Sequence, residues 1–291
     1  MIRVLLQGGL GNQMFQYAAA YAIAKRLGCG LKLDLSMFDV FGTRAWCRPF
    51  ALDIFALSEN TIYTHNHHLS VRALPRISSF CRSHNYNRLG KYVFAIDNHN
   101  EMLAVADKNI LFGYFANNRI FVDCRDELLK EFSFKHQPDK DNKALIAKMQ
   151  NSESVSVHIR RGDYLNATNE GVFYHPSVQW YRNAMQEITK LVNRPVFYFF
   201  SDDIAWVKEQ FADVKNAVFV DINHGADSYN DMRLMSICKH NIIANSTFSW
   251  WGAWLNPNPD KIVIAPGKYY TKEDLKEKYL AQMIPSGWMT I

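Results

Sequence analysis

The chain has 291 residues, enough for about two domains at roughly 150 residues each. Hydrophobic residues make up 48%, charged residues 21% and aromatics 14%, which excludes disordered, collagen-like and low-complexity classes. The formal net charge is +5, and +4 of it lies in residues 61–100, where Arg72, Arg76, Arg82, Arg88 and Lys91 stand against Asp97 alone. A surplus confined to one segment excludes a chain coated in basic charge for nucleic acid. His65, His67, His68, His84 and His99 share the segment, and it reads as a polar loop rather than a metal site, because no Cys, Asp or Glu nearby completes a ligand set.

In chain order, residues 2–7 form a short apolar strand and Gly8-Gly9-Leu10-Gly11 a turn. Residues 13–27 read as a helix, with Met14, Phe15, Ala18, Ala19, Ala22 and Ile23 on one face and Gly28 as its stop. A second strand at 31–35 completes a βαβ opening. From 36 to 109 no period is clean. Residues 134–142 are polar and contain Pro138, the best linker in the chain, and Asp139-Lys140-Asp141 within it reads as solvated linker rather than metal motif. Strands at 155–159, 195–200, 217–221, 241–244 and 261–265 then alternate with helices at 178–191, 204–211, 229–238, 249–255 and 272–280. That alternation is the pattern of a doubly wound α/β domain.

No apolar run is long enough to span a bilayer, and the opening strand does not read as a signal peptide. Five scattered cysteines without a CxxC fit a reducing, cytoplasmic location.

Ligands of doubly wound sheets bind beyond the carboxyl ends of the strands, and four such ends carry polar clusters. In the first, Gly9-Leu10-Gly11-Asn12-Gln13-Met14 partly matches a dinucleotide fingerprint, with methionine at the third glycine and Asp34 where a ribose-binding acid would sit. Asn12 and Gln13 offer amides suited to hydroxyls. In the second, His158-Ile159-Arg160-Arg161-Gly162-Asp163-Tyr164, alternation puts His158 and Arg160 on one face. Adjacent arginines in a cleft suit a diphosphate, because the guanidinium fork matches two oxygens. In the third, Ser201-Asp202-Asp203, Asp202 reads equally as a helix cap or a ligand contact. In the fourth, Asn245-Ser246-Thr247-Phe248-Ser249 gathers hydroxyls at a helix N-terminus, a ready anion site. Trp250, Trp251 and Trp254 read as core. Asp231, with Asn230, caps the preceding helix or meets a base edge.

Four segments together resemble the family 11 glycosyltransferases, α-1,2-fucosyltransferases that use GDP-fucose: residues 8–16, residues 158–164, Phe200-Ser201-Asp202-Asp203, and residues 243–253. The resemblance implies a GT-B-type fold, two Rossmann-like α/β domains facing across a cleft. Residues 1–150 would be the acceptor-side domain and 151–291 the GDP-fucose-binding domain, with a last helix free to pack back on the first. It implies an inverting, metal-independent transfer of fucose to O2 of a terminal β-galactose. It places Arg160 on the diphosphate, His158 and Asp231 at the nucleoside, and Ser246, Thr247 and Ser249 at phosphate. Arg161, Asp202, Asn245, Gly9 and Gly11 complete the donor-binding candidates. Asp163 is the first candidate base, with holding an arginine as its rival role, and Glu170 is the second. Asn12 orients fucose, acceptor or arginine. The chain resembles the bacterial members, which build surface glycans on the cytoplasmic side, with peripheral contact to the inner membrane. Two other classes compete. An oxidoreductase would use Gly9, Gly11 and Asp34 but leaves residues 158–164 without a task, and a non-catalytic sugar-binding module would need no diphosphate clamp.

Overall fold

The computed structural model describes residues 1–42, 48–58, 61–65, 69–162 and 171–291. The chain divides into two compact units, Met1–His136 and Gln137–Ile291. The division falls inside the polar stretch at 134–142. Asp139 there is a helix cap, its carboxylate accepting hydrogen bonds from the backbone N of Asn142 at 2.8 Å and from its Nδ2 at 2.9 Å.

The first unit runs β1 (Ile2–Leu5), α1 (Leu10–Arg26), β2 (Leu31–Asp34), α2 (Ser36–Phe41), β3 (Thr61–Thr64), α3 (Leu69–Ser83), β4 (Arg88–Leu89), β5 (Tyr92–Val93), α4 (His99–Leu103), β6 (Ile110–Leu111) and α5 (Arg125–Glu131). Its six-stranded sheet has the order β3-β2-β1-β6-β5-β4, parallel except for the β4–β5 hairpin. α1 starts at Leu10, three residues before the turn chemistry suggested. It is buried on nearly every side, from Met14 and Phe15 to Ile23. Gly28 ends it at φ +59, a left-handed conformation glycine adopts without cost.

α3 lies in the stretch whose period looked unclear. Val71, Leu74, Ser78 and Cys81 are buried at steps of three and four, the helical repeat. Pro75, ordinarily a helix breaker, sits within this series and masks it in the sequence. Val71, Leu74 and Cys81 pack with Leu5, Met37, Phe41, Phe94, Ile110 and Phe112.

The second unit runs α6 (Lys140–Gln150), β7 (Glu153–Ile159), α7 (Val178–Leu191), β8 (Pro195–Ser201), α8 (Ile204–Gln210), β9 (Ala217–Phe219), α9 (Tyr229–Ile237), β10 (His240–Ile242), α10 (Thr247–Leu255), β11 (Val263–Ala265), α11 (Lys276–Met283) and β12 (Met289–Thr290). Every pairing in its six-stranded sheet, β12-β11-β10-β7-β8-β9, is parallel. The alternation read from sequence holds from β7 onward; the opening helix α6 and the short closing strand β12 were not anticipated. Parallel sheets need cover on both faces. Val155, Val157 and Ile159 of β7 meet Tyr181, Ala184 and Ile188 of α7 and Val207 of α8. The alternate residues Ser154, Ser156 and His158 are buried too, and Ser156 Oγ accepts from Asn241 Nδ2 at 2.7 Å.

Trp250, Trp251 and Trp254 are core, as expected, and Trp250 stacks near Trp254 and Trp288 with ring centroids 6.2 and 5.5 Å away. Among the described residues no helix is long and apolar enough to cross a membrane.

α9 and α10 pack closely because Gly252 has no side chain. A Cβ there would stand 2.9 Å from the Cβ of Met235, an atom that cannot swing aside. Overpacking of this kind costs about 1–3 kcal/mol, whereas replacing a helical glycine with alanine gains about 1 kcal/mol. The clash wins, so Gly252→Ala should lower the unfolding midpoint in urea. A midpoint equal to or above wild type would show that α9 can retreat.

Candidate functional site

Each sheet reverses its winding once, and a crevice opens where it does. In the second unit the chain goes from β7 outward through β8 and β9, then returns to β10 on the other side. The reversal point therefore lies between the carboxyl ends of β7 and β10. In the first unit it lies between β1 and β6. The first, second and fourth polar clusters sit at these carboxyl ends, and the third follows β8, the neighbour of β7.

His158 closes β7 and is buried, with its ring 5.9 Å from that of Phe248 in the first turn of α10. The end of β7 and the start of α10 thus meet. Burial first, and then the Arg160 charge, push the His158 imidazole down to about 4, with Asp202 acting against them. Its Nδ1 is buried without a hydrogen-bond partner among the described residues. An unsatisfied buried group costs about 1–3 kcal/mol, which is expected where a ligand supplies the partner.

Arg160 Nη1 pairs with Asp202 Oδ2 at 2.9 Å. The other Asp202 oxygen accepts from the Arg161 backbone N, also at 2.9 Å. Gly162 lies so near the same carboxylate that a Cβ would stand 2.4 Å from Oδ2. Asp202 is therefore the residue that folds the turn after β7. The cap of α8 is its neighbour Asp203, which accepts from Trp206 N at 3.2 Å, so the capping role first offered to Asp202 passes one residue on. Arg161 turns the opposite way from Arg160. Its guanidinium lies 3.7 Å from the Trp206 ring centroid and 3.1 Å from Asp203 Oδ2. Asp163 and Glu170 lie outside the described residues.

At β10, Ser246 caps α10, its hydroxyl accepting from Phe248 N at 3.3 Å. Thr247 opens the helix. Ser249 is fully buried one turn in, its hydroxyl donating to Ser246 O at 3.3 Å. Asn245 donates through Nδ2 to Tyr174 O, and to Tyr269 O at 3.1 Å, tying two loops to the strand end.

Asp231 stands in the first turn of α9. Burial pushes its carboxyl up to about 7, against a hydrogen bond from Asn223 Nδ2 at 2.8 Å. Asn223 in turn pairs with Asn142, which reaches Asp139. Asn230 Oδ1, beside Asp231, is buried without a partner among the described residues. The Asn142–Asn223 support was not visible in sequence, since nothing local connects positions 81 residues apart.

In the first unit the turn differs from its reading. Gly8 has a positive φ of +77, and a Cβ on it would meet Asn12 Nδ2 at 2.8 Å and Tyr114 Cε1 at 3.2 Å. Nothing approaches within 4 Å of a Cβ on Gly9. Gly11 is buried in the first turn of α1. Gln13 does not face a ligand: it is fully buried, donating to Gly8 O and Pro49 O at 2.8 Å and accepting from Ala51 N at 2.9 Å. Gln16 bridges the two strand ends through Gly113 O and Gln7 N, each at 3.0 Å. Tyr114, missed in sequence, lies across the reversal point just after β6. Asp34 is fully buried against Arg3 and Ser36, so it offers no carboxylate to a ribose.

Two titrations of opposite sign follow. His158 has a folded pKa below its ordinary 6.5, so its contribution to stability is full above that pH and declines as pH falls towards about 4. Asp231, raised from 3.8 to about 7, is protonated in the fold where the unfolded chain has lost its proton. Its contribution declines as pH rises between those values. Imidazole NMR signals of His158 should stay in the neutral position between about pH 5 and 8. A midpoint near 6.5 would contradict the burial described.

The model for glycosyl transferase family 11 matches residues 81–291. The O-antigen biosynthesis glycosyltransferase WbnK of Escherichia coli is 34% identical over 284 residues, covering 91% of this chain and 93% of that protein. An alpha-1,2-colitosyltransferase of Escherichia coli is 32% identical over 298 residues, with 98% and 97% covered. The mouse galactoside 2-alpha-L-fucosyltransferase Sec1 is 25% identical over 268 residues, with 88% and 64% covered. Among solved structures, fucosyltransferase NodZ from Bradyrhizobium matches with a TM-score of 0.52 at 14% identity, over 88% of this chain and 93% of that one. The matched region takes in the strand ends of the second unit, and the two α/β units share the GT-B-type fold of that neighbour: the chain belongs to glycosyl transferase family 11.

Proposed function

We propose that the protein is an inverting α-1,2-fucosyltransferase, moving L-fucose from GDP-β-L-fucose to O2 of a terminal β-galactose. The observation that carries this reading is the meeting of His158, two residues before the Asp202-fixed Arg160, with the first turn of capped α10 at one reversal point. A cation and a helix N-terminus converging on a crevice suit a diphosphate.

In this reading the acceptor oxygen attacks the anomeric carbon as the bond to the β-phosphate breaks. The transition state is oxocarbenium-like, and negative charge gathers on the departing GDP. Arg160 and the α10 N-terminus, with Ser246 and Thr247, stabilise that charge. Arg161, held on Trp206 and Asp203, fixes the turn from behind. The carboxylate of Asp231 is matched to the paired N–H donors of a guanine edge, and His158 Nδ1 gains its missing partner from the nucleotide. Asp163 takes the proton of the attacking hydroxyl, with Glu170 as the second candidate. The first unit takes the acceptor side, where Asn12 orients a sugar hydroxyl and the open backbone at Gly9 admits it.

Among the described residues no group of three His, Cys, Asp or Glu side chains is arranged for a metal ion, and the proposed transfer needs none. The enzyme works on the cytoplasmic side, with peripheral contact to the inner membrane. A second donor has a specific basis: the similarity to a colitosyltransferase favours GDP-colitose as an alternative at the same clamp.

Incubation with lactose and either GDP-fucose or GDP-colitose, with and without EDTA, tests donor, linkage and metal together. Formation of 2'-fucosyllactose unaffected by EDTA is expected. Transfer only from GDP-colitose would move the donor assignment, and no transfer to any galactoside would overturn the reaction.

Arg160→Ala should lower kcat by about a hundredfold to a thousandfold, the cost of one lost oxyanion donor. Asp163→Asn should retain GDP binding and lose transfer. Unchanged turnover in either variant would remove that residue from its role.

A further inference from the structure

The positive surplus seen in sequence has a definite place on the first unit. From Thr61 to Ile96 there is no Asp or Glu. α3 turns Val71, Leu74, Ser78 and Cys81 inward. Arg72, Arg76, Phe80 and His84 recur every four residues and are all exposed, so they form one stripe along the outer face. The His84 N donates to Phe80 O at 3.2 Å, carrying the helical turn one residue past Ser83. Arg82 is exposed too, but two residues from both Phe80 and His84 it leaves the helix on another side, towards Tyr114.

The same face is unusually apolar for a solvated helix. Phe80 and Tyr86 are each 59% exposed. The Phe80 and His84 rings lie 4.2 Å apart, and His84 and Tyr86 stack at 6.5 Å, so the rings form a continuous row. Arg72, Arg76 and Arg82 have no carboxylate partner among the described residues. Arg88 does not belong to this surface, because it is held by Ala104 O and Asn109 Oδ1.

Exposed rings in line with arginines that have no carboxylate partner among the described residues match the headgroup level of a bilayer, where aromatic residues rest and cations meet lipid phosphate. Nucleic acid suits the face less well. Two arginines are few for a phosphate track. We propose that the outer face of α3 and the loop to β4 is a docking surface for a bilayer of anionic phospholipid. α3 lies along the surface with Phe80 and Tyr86 at headgroup depth and Arg72 and Arg76 over the phosphates. This deepens the peripheral contact proposed above by naming the face that makes it.

The flank of the same helix reaches towards the first unit's crevice through Arg82. Burial raises the Tyr114 phenol, and the charge of nearby Arg82 pulls it the other way. Tyr114 touches the Gly8 turn. A chain docked through α3 would hold that turn next to the membrane, within reach of a lipid-anchored glycan.

Sedimentation of the full chain with vesicles tests this. One set is phosphatidylcholine alone, and the other contains about 30% phosphatidylglycerol. Binding to the anionic set only, weakened by salt, is expected. At roughly fivefold per arginine, R72Q/R76Q should bind about twenty-fivefold more weakly. F80A/Y86A should bind more weakly at unchanged charge. Equal binding to neutral vesicles, wild-type binding by the double arginine variant, or displacement by an RNA oligonucleotide at matched charge would overturn the proposal. Turnover on soluble lactose by the same variants should equal wild type. That readout belongs to the transfer reaction, so vesicle binding and the reaction succeed or fail separately.

Discussion

The crevice of the second unit depends on one carboxylate. Asp202 accepts from the Arg161 backbone, pairs with the Arg160 guanidinium and occupies the space beside Gly162 that any side chain would need. The Arg160–Asp202 pair is about a quarter exposed on each side, and partly exposed ion pairs stabilise a fold by only about 0–1 kcal/mol. Its importance is therefore directional. A flexible arginine has many rotamers, and an anchored guanidinium presents its remaining N–H groups along fixed lines without an ordering cost at the moment of binding. Arg161, turned away onto Trp206, fixes the other side of the same turn.

Both units open a crevice where strand order reverses, yet the two crevices differ in chemistry. In the second, a cation, a buried histidine and a helix N-terminus gather. In the first, amides, a phenol and open glycine backbone gather, with Gln16 bridging the two strand ends. One arrangement suits concentrated negative charge, and the other suits neutral hydroxyls. The division arises from side chains placed on equivalent backbone frames, so a similar fold serves both tasks.

Much of this was legible in the sequence where local rules apply. The alternation after residue 155 survives because fully parallel strands are short apolar runs and each connecting helix has its own period. The four polar clusters were found because doubly wound sheets place function at carboxyl ends. What stayed hidden was set by distant partners. Asp202 and Asp203 could not be ordered as clamp and cap without knowing that Arg160 lies across from β8. Gln13 looked free until Pro49 and Ala51 folded over it. Asp34 looked like a ribose ligand until Arg3 claimed it. α3 was overlooked because Pro75 outweighed a helical repeat that had to be followed for three turns.

The tryptophans carry an optical consequence. Of seven in the chain, all but Trp46 fall in the second unit. Trp250, Trp251, Trp254 and Trp288 cluster on and around α10, and Trp206 lies under the Arg161 guanidinium. Intrinsic fluorescence excited at the indole band is thus almost wholly a signal of this unit, and it originates within a few residues of the clamp. The native chain is its own spectroscopic reporter of that crevice, without a label and with little background from the other half.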